Sequence, residues 1–380
     1  MKLLSTSKAV PVFLGFFVMG FIDLVGIATN YARVDFGLKA SVANLLPLMV
    51  FLWFALFSFP FSLLMNRTGR KKMVIAGLII TSLSLLLPFI KYNFPLLLVG
   101  FAGVGIGNTI LQVSVNPLLG NVIDTDKMAA ALTGGQLIKS FASLLGPVLV
   151  GISAHLLNNW RFTLPLLSAV ALINVVWLRA TPIRENAVVE ERTTWKACLP
   201  LLQSKDMILL FLGIAAIVGI DISLNTLLPQ LLQLRHGWSL PQAGLATSVY
   251  FISRMVGSLI GIFALSGSKA NQFLPICTVA GIAGMTGLLF FTPLWLLAVC
   301  IVLNGLAVAN VFPVLFSSAL KKMPTMQNEV SGLMIMGVSG GALFLPLMGI
   351  IADSYGLTAA LGIPFLLWLF LTGNAVLRKF

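Results

Sequence analysis

Charge is what this 380-residue sequence has least of: Asp, Glu, Lys and Arg together make up 9% of it, against roughly 25% in a typical soluble domain. So few polar side chains cannot cover a water-facing surface, which excludes an ordinary soluble globule. Histidine is scarcer still, at two residues, and acids number 11 against 24 Lys and Arg. There is no phosphate-cradling Gly loop, no metal-ligand cluster and no nucleophile–base pair, so neither an enzyme nor a cofactor or metal centre is expected. The three cysteines, Cys198, Cys277 and Cys300, are not paired by spacing and give no disulfide framework. Cys277 and Cys300 lie in apolar runs and read as small buried hydrophobes. The net charge of +13 would suit nucleic acid in another setting. Here the basic residues form short clusters between apolar runs, the pattern of cytoplasmic loops, and no nucleic-acid partner is expected.

Hydrophobic residues, at 58%, are what is plentiful, and the lipid bilayer is the expected solvent for most of them. A spanning helix needs about 20 mostly apolar residues. Twelve runs qualify: 9–32, 41–65, 72–90, 94–119, 128–153, 162–178, 207–232, 242–265, 271–291, 294–319, 329–352 and 358–377. Lys2 and Lys8 precede the first run without a small-residue cleavage site, so it is expected to persist as a helix and not as a removable signal. The fold class expected is therefore an all-α membrane protein. It divides into a six-helix bundle over 1–178, a charged cytoplasmic linker over 179–206 and a second six-helix bundle over 207–380. With the N-terminus in the cytoplasm, 17 Lys and Arg fall on that side and 5 opposite, leaving Lys139 and Arg254 inside helices. Both termini are thus expected in the cytoplasm.

The halves repeat. A shift of 200 places Gly37-Leu-Lys on Gly237-Trp-Ser, Leu45 on Leu245 and Phe51 on Phe251. Parallel repeats of this kind are one plan of secondary transporters. The loop after the second run, FSLLMNRTGRKK, resembles the major facilitator superfamily's signature G-x-x-x-D-R-x-G-R-[RK]. Arg67, Gly69, Arg70 and Lys71 match, while Ser62 stands for the Gly and Asn66 for the Asp. A basic turn that only fixes topology is the alternative.

A narrower resemblance is carried by Asn116-Pro117, Gln136, Phe312-Pro313 and the GGAxxxPxxGxxAD run from Gly340 to Asp353. Together these resemble the fucose permease group, the fucose–galactose–glucose:proton symporters, over most of the chain. The resemblance implies a monomeric inner-membrane symporter that moves a saccharide and protons by alternating access. It also marks three departures. Gln112 stands where the group has a Glu tied to proton coupling, Gly26 where helix 1 has its Asp, and Lys139 where helix 5 has a sugar-contacting Asn. Simple hexose–proton symport does not carry over unchanged.

Ionisable groups deep in a membrane helix mark function by default, and four qualify: Asp23, Lys139, Asp221 and Arg254. Helical spacing gives each a polar face. Asp23 shares one with Asn30; Asn108, Gln112 and Asn116 form a stripe; Gln136 and Lys139 lie together with Ser143; Asp221 pairs with Asn225, and Tyr250 with Arg254. Asn304 and Asn310 add amides to the tenth run. Amides suit sugars because each donates and accepts. These residues are the expected substrate contacts, with Asp23 and Asp221 the proton carriers or ion-pair partners. Gly146, Pro147 and Pro346 are expected to bend their helices and, with Arg67, Gly69 and Arg70, to serve conformational change. A purely structural ion pair between Asp23 and Lys139 stays open, as does a simple kink at Asn116-Pro117.

The function expected is transport of a sugar or sugar derivative. Lys139 and Arg254 point to an acidic one unless Asp23 and Asp221 neutralise them. A drug or lipid exporter of the same fold is the alternative, as Gly146-Pro147 with Gly151 partly resembles an antiporter signature. A non-transporting membrane receptor is the third.

Overall fold

The computed structural model describes residues 6–123, 128–183, 185, 203–265, 270–323 and 327–378. Most of the expected linker, with Cys198, lies outside them. In hydrocarbon every backbone N–H and C=O must be satisfied within its own segment, and the described residues are accordingly helical, with no strand. The first membrane helix is α1a (Thr6–Met19) and α1b (Leu24–Asp35), joined by a 3-10 turn at Gly20–Asp23. Then follow α2 (Leu45–Thr68), α3 (Arg70–Ile90), α4 (Phe94–Leu119), α5 (Met128–Leu156) and α6 (Thr163–Ala180). The second series is α7 (Lys205–His236), α8 (Leu240–Leu265), α9 (Ala270–Phe290), α10 (Leu294–Lys322), α11a (Gln327–Met336), α11b (Gly340–Tyr355) and α12 (Gly362–Arg378).

Each of the twelve expected runs is a helix, and α4 matches its run to the residue. Among the described residues eleven helices are long and apolar enough to cross a membrane, and the apolar part of α9, Leu274–Phe290, is a shorter twelfth. The chain is a multi-pass membrane protein. Two of its helices end where glycine takes a left-handed conformation. Gly37 (φ 60°) and Gly237 (φ 65°) close α1b and α7, and they are the pair that the 200-residue shift superposes. At this pair the repeat is present in backbone conformation as well as in sequence.

The residues group into two compact units. One holds Met1–Leu24 and Leu52–Thr193, the other Val25–Phe51 and Thr194–Phe380. The hairpin 25–51 is thus grouped with the second half of the sequence. Hydrogen bonds hold it there. Asn30 Nδ2 donates to Thr226 O (3.0 Å), Gln230 Nε2 to Asn30 Oδ1 (2.8 Å), and Arg33 to Gln230 Oε1 (2.8 Å). Both oxygens of Asp353 accept from the backbone, from Ala40 N at 2.8 Å and Ser41 N at 2.9 Å. Asn44 Nδ2 donates to Leu345 O (2.8 Å).

Glycine sets how closely helices approach. The 3-10 turn in the first helix begins at Gly20, where a Cβ would come within 2.6 Å of Lys139 O and the Ala142 side chain. The break in helix 11, at Gly337–Ser339, ends at Gly340, whose absent Cβ leaves room for the Ala215 carbonyl. Gly146 and Pro147 lie within an unbroken α5, and Pro346 within α11b. The interruption of helix 11 thus falls ahead of its proline.

In the first unit α3 and α4 meet across Gly77 and Gly107, and a Cβ on Gly107 would lie 2.8 Å from Gly77 O. Gly107→Ala is expected to lower the midpoint of thermal unfolding in detergent by several degrees, since overpacking costs about 1–3 kcal/mol. Gly151→Ala, where nothing lies within 4 Å, is the control and should leave the midpoint unchanged or higher.

Candidate functional site

In the first unit the 3-10 turn presents Asp23 to α5. The Ser143 hydroxyl lies 2.5 Å from Asp23 Oδ2 and 3.0 Å from Lys139 O, so one side chain links the buried acid to the turn that carries the lysine. The turn also changes the helical ladder at Met19, and Asn108 Nδ2 donates to Met19 O at 2.8 Å. Gln112 in turn donates to Asn108 Oδ1 (3.1 Å). The expected stripe on α4 therefore divides. Asn108 is fully buried and serves the backbone, whereas Gln112 and Asn116 are half-buried. Asn116 Oδ1 is buried without a hydrogen-bond partner. Gln136, one turn from Lys139, is exposed.

In the second unit Asp221 and Arg254 form an ion pair, with Nη1 2.8 Å from Oδ2. Tyr250 donates its hydroxyl to Asp221 Oδ1 at 2.6 Å. These three residues, expected on two separate faces, form one cluster. Asn225 is buried one turn along, against Gly26, where a Cβ would come within about 2.6 Å of the amide atoms. The glycine that replaces the family's helix 1 acid thus makes room for an amide from α7.

The remaining amides hold helices together. Asn304 donates to Cys300 O (2.9 Å) and accepts from Trp368 Nε1 (3.2 Å), tying α10 to α12. Asn310 donates to Gly257 O (2.7 Å), tying α10 to α8. With Asn30 on Thr226 and Gln230, the amides of these three residues are engaged in packing.

The signature loop is a junction of helix ends. Gly69 takes φ 91°, a conformation reserved for glycine. Arg70 donates to Pro117 O (3.2 Å) and Asn121 Oδ1 (3.0 Å) at the end of α4. Lys71 Nζ reaches Thr181 O (2.8 Å) and Arg179 O (3.1 Å) at the end of α6. The side chains of Arg67 and Asn66 lie outside the described residues. An acid still serves this loop from elsewhere. Glu185 accepts from Arg70 N (2.7 Å) and Lys71 N (2.8 Å) and so caps the positive end of the α3 dipole.

Sequence reasoning did not single out Glu185, Gln230 or the capping role of Asp353. Gln230 carried a signal, since it stands 200 residues after Asn30. Asp353 lay inside the quoted GGAxxxPxxGxxAD run. Glu185 had none beyond being an acid near basic loops.

The ion pair has a measurable signature. Removing one partner of a mostly buried pair strands the other and costs about 3 kcal/mol. Arg254→Gln should therefore lower the unfolding midpoint markedly, and adding Asp221→Asn should restore most of the loss. A double-mutant cycle by thermal unfolding in detergent reads the coupling directly.

The fold agrees with that of known proteins. The sequence profile of the Major Facilitator Superfamily matches residues 12–264. A glucose/galactose transporter of Brucella abortus biovar 1 (strain 9-941) is 24% identical over 385 residues, covering 94% of this chain and 90% of that one. Among solved structures, the nucleoside transporter NupG is similar with a TM-score of 0.74 at 15% identity, covering 100% of this chain and 98% of NupG. The E. coli fucose:proton symporter FucP has a TM-score of 0.70 at 17% identity, covering 98% of this chain and 99% of FucP. A twelve-helix fold shared end to end, with a profile match over well over half the residues, places the chain: it belongs to the major facilitator superfamily.

Proposed function

We propose that the chain is a secondary active transporter that carries a neutral saccharide, of the hexose class, across the inner membrane by alternating access, coupled to protons and with both termini in the cytoplasm. The bundles 1–178 and 207–380, joined by the linker 179–206, are the bodies that would move. A multi-pass chain of this family moves a solute and makes no bond, so transport and not enzymatic catalysis is its task.

The observation that carries the reading is the cancellation of interior charge. Arg254 is paired with Asp221, and Ser143 brings Asp23 beside the Lys139 turn. What is left to meet a solute is amide and hydroxyl, with Gln112, Asn116 and Gln136 at partly or fully exposed positions in the first unit. Groups that both donate and accept suit a polyol. The name of the Brucella abortus relative, a glucose/galactose transporter, supports the same class. The amide-rich interior disfavours a drug or lipid cargo.

Uptake of labelled neutral and acidic sugars into proteoliposomes tests the class. Neutral hexoses should be carried and uronic acids poorly or not at all. Accumulation of an acidic sugar that Lys139→Asn abolishes would make Lys139 an anion reader and replace this proposal with the acidic one.

Alternating access also requires that the hairpin 25–51 leave α7 and α11b when its end of the protein opens. Asp353→Ala removes two of the bonds that hold it. In a background lacking the three native cysteines, a cysteine at buried Thr29 should then be labelled several-fold faster by a membrane-impermeant maleimide. Labelling unchanged by Asp353→Ala would show that this contact does not hold the end shut.

A further inference from the structure

We propose that Asp221 is the proton-carrying group, working through Tyr250 and Arg254, so that proton coupling resides in the second half of the chain; this deepens the transport reading above and rests on it. Two interior carboxylates are candidates, and their surroundings differ. Asp23 is 5% exposed, set in the 3-10 turn against α5. Asp221 is half-buried, with its side chain 14% exposed and that of Arg254 21% exposed. A group that loads and unloads protons cannot be fully sealed, and the Asp221 side chain keeps 14% of its surface exposed while Tyr250, fully buried, holds its Oδ1 in place.

Few ionisable residues occur in the second half's apolar runs. Over residues 207–234, 240–265, 270–291, 294–320, 330–352 and 357–377, Asp221 and Arg254 are the only Asp, Glu, His, Lys or Arg in the sequence. From α8, Tyr250 and Arg254 face the carboxylate. From α9 and α10 the titratable groups over these stretches are Cys277 and Cys300; α11b and α12 contribute none. The hairpin brings Tyr31, Arg33 and Asp35 alongside α7, with Arg33 bonded at Gln230. That is nine residues from Asp221, or about 13 Å along the helix.

The proton balance then follows. A proton from water binds Asp221, an O–H bond forms, and the carboxylate becomes a neutral acid. Arg254 loses Asp221 as a counter-charge, while Tyr250 can still donate to Oδ1. The guanidinium N–H donors are now available to hydroxyl oxygens of a sugar. When the proton leaves to the other side, the carboxylate recaptures Arg254 and competes the sugar off. Proton and sugar each strengthen the other's binding by the same factor, as linkage requires.

The test uses the full chain, in lipid nanodiscs for infrared difference spectra across pH and in proteoliposomes with D-galactose as probe. The parent should show a carboxylic C=O band that titrates. The band should be absent in Asp221→Asn, present in Asp23→Asn, and shifted in midpoint in Tyr250→Phe. Proton-gradient-driven galactose accumulation should fall at least tenfold in Asp221→Asn, with counterflow still detectable. A titrating band that survives in Asp221→Asn, or that vanishes in Asp23→Asn, overturns the assignment. If Asp221→Asn fails to fold, Asp221→Glu decides: its band must titrate at a different midpoint from the parent's, and an unmoved midpoint overturns the assignment. A parent that neither accumulates nor exchanges galactose sinks the hexose reading alone, because the infrared arm judges Asp221 without any sugar.

Discussion

A charge in hydrocarbon has to be answered within reach of its own helix, and the polar interior of this protein is organised around that requirement. Each half of the sequence places one acid and one base deep in its helices, Asp23 with Lys139 and Asp221 with Arg254. Asp221 takes Arg254 directly. Asp23 and Lys139 are joined through the turn of α5 that carries Ser143. The local structure serves the same end. The 3-10 turn at Gly20–Asp23 directs Asp23 to α5, glycine at 20 lets the two helices close, and Asn108 satisfies the carbonyl at the turn's edge. In the second unit the ion pair cancels its own charge.

Much of this was legible in the sequence because lipid imposes a coarse grammar. An apolar run must be a helix of a certain length, so twelve runs gave twelve helices with ends displaced by a few residues. The four interior charges stood out because nothing around them was charged. What a particular amide bonds to was not legible. Periodicity assigns Asn304 and Asn310 to α10, but whether they meet a solute or a neighbouring helix depends on how α10 is rotated against α8 and α12. Both turned to backbone and packing. The two breaks, at Gly20–Asp23 and Gly337–Ser339, arise from close approach to another helix, and no single-helix pattern encodes that. The hairpin 25–51 was assigned to its neighbours in sequence, whereas its hydrogen bonds run to α7 and α11b.

Two carboxylates solve the same local problem at different places. Glu185 accepts from the first two amides of α3, and Asp353 from those of the short helix Ala40–Ala43. In both cases the acid comes from a distant part of the chain, so each is at once a cap and a tie. Asn66 stands where the loop signature usually has Asp, and the negative charge at the start of α3 comes from Glu185, 115 residues from Arg70.

The bond between Asn30 and Gln230 has a consequence of a different kind. The two residues are 200 positions apart, which is the repeat itself, so each is the other's counterpart. Matching places of the two repeats therefore touch each other directly. If the halves descend from one duplicated ancestor, the side chain at this locus once faced an identical copy. A carboxylate or an ammonium would have repelled itself there. An amide offers a donor and an acceptor together, and so is a side chain that can bind its own double.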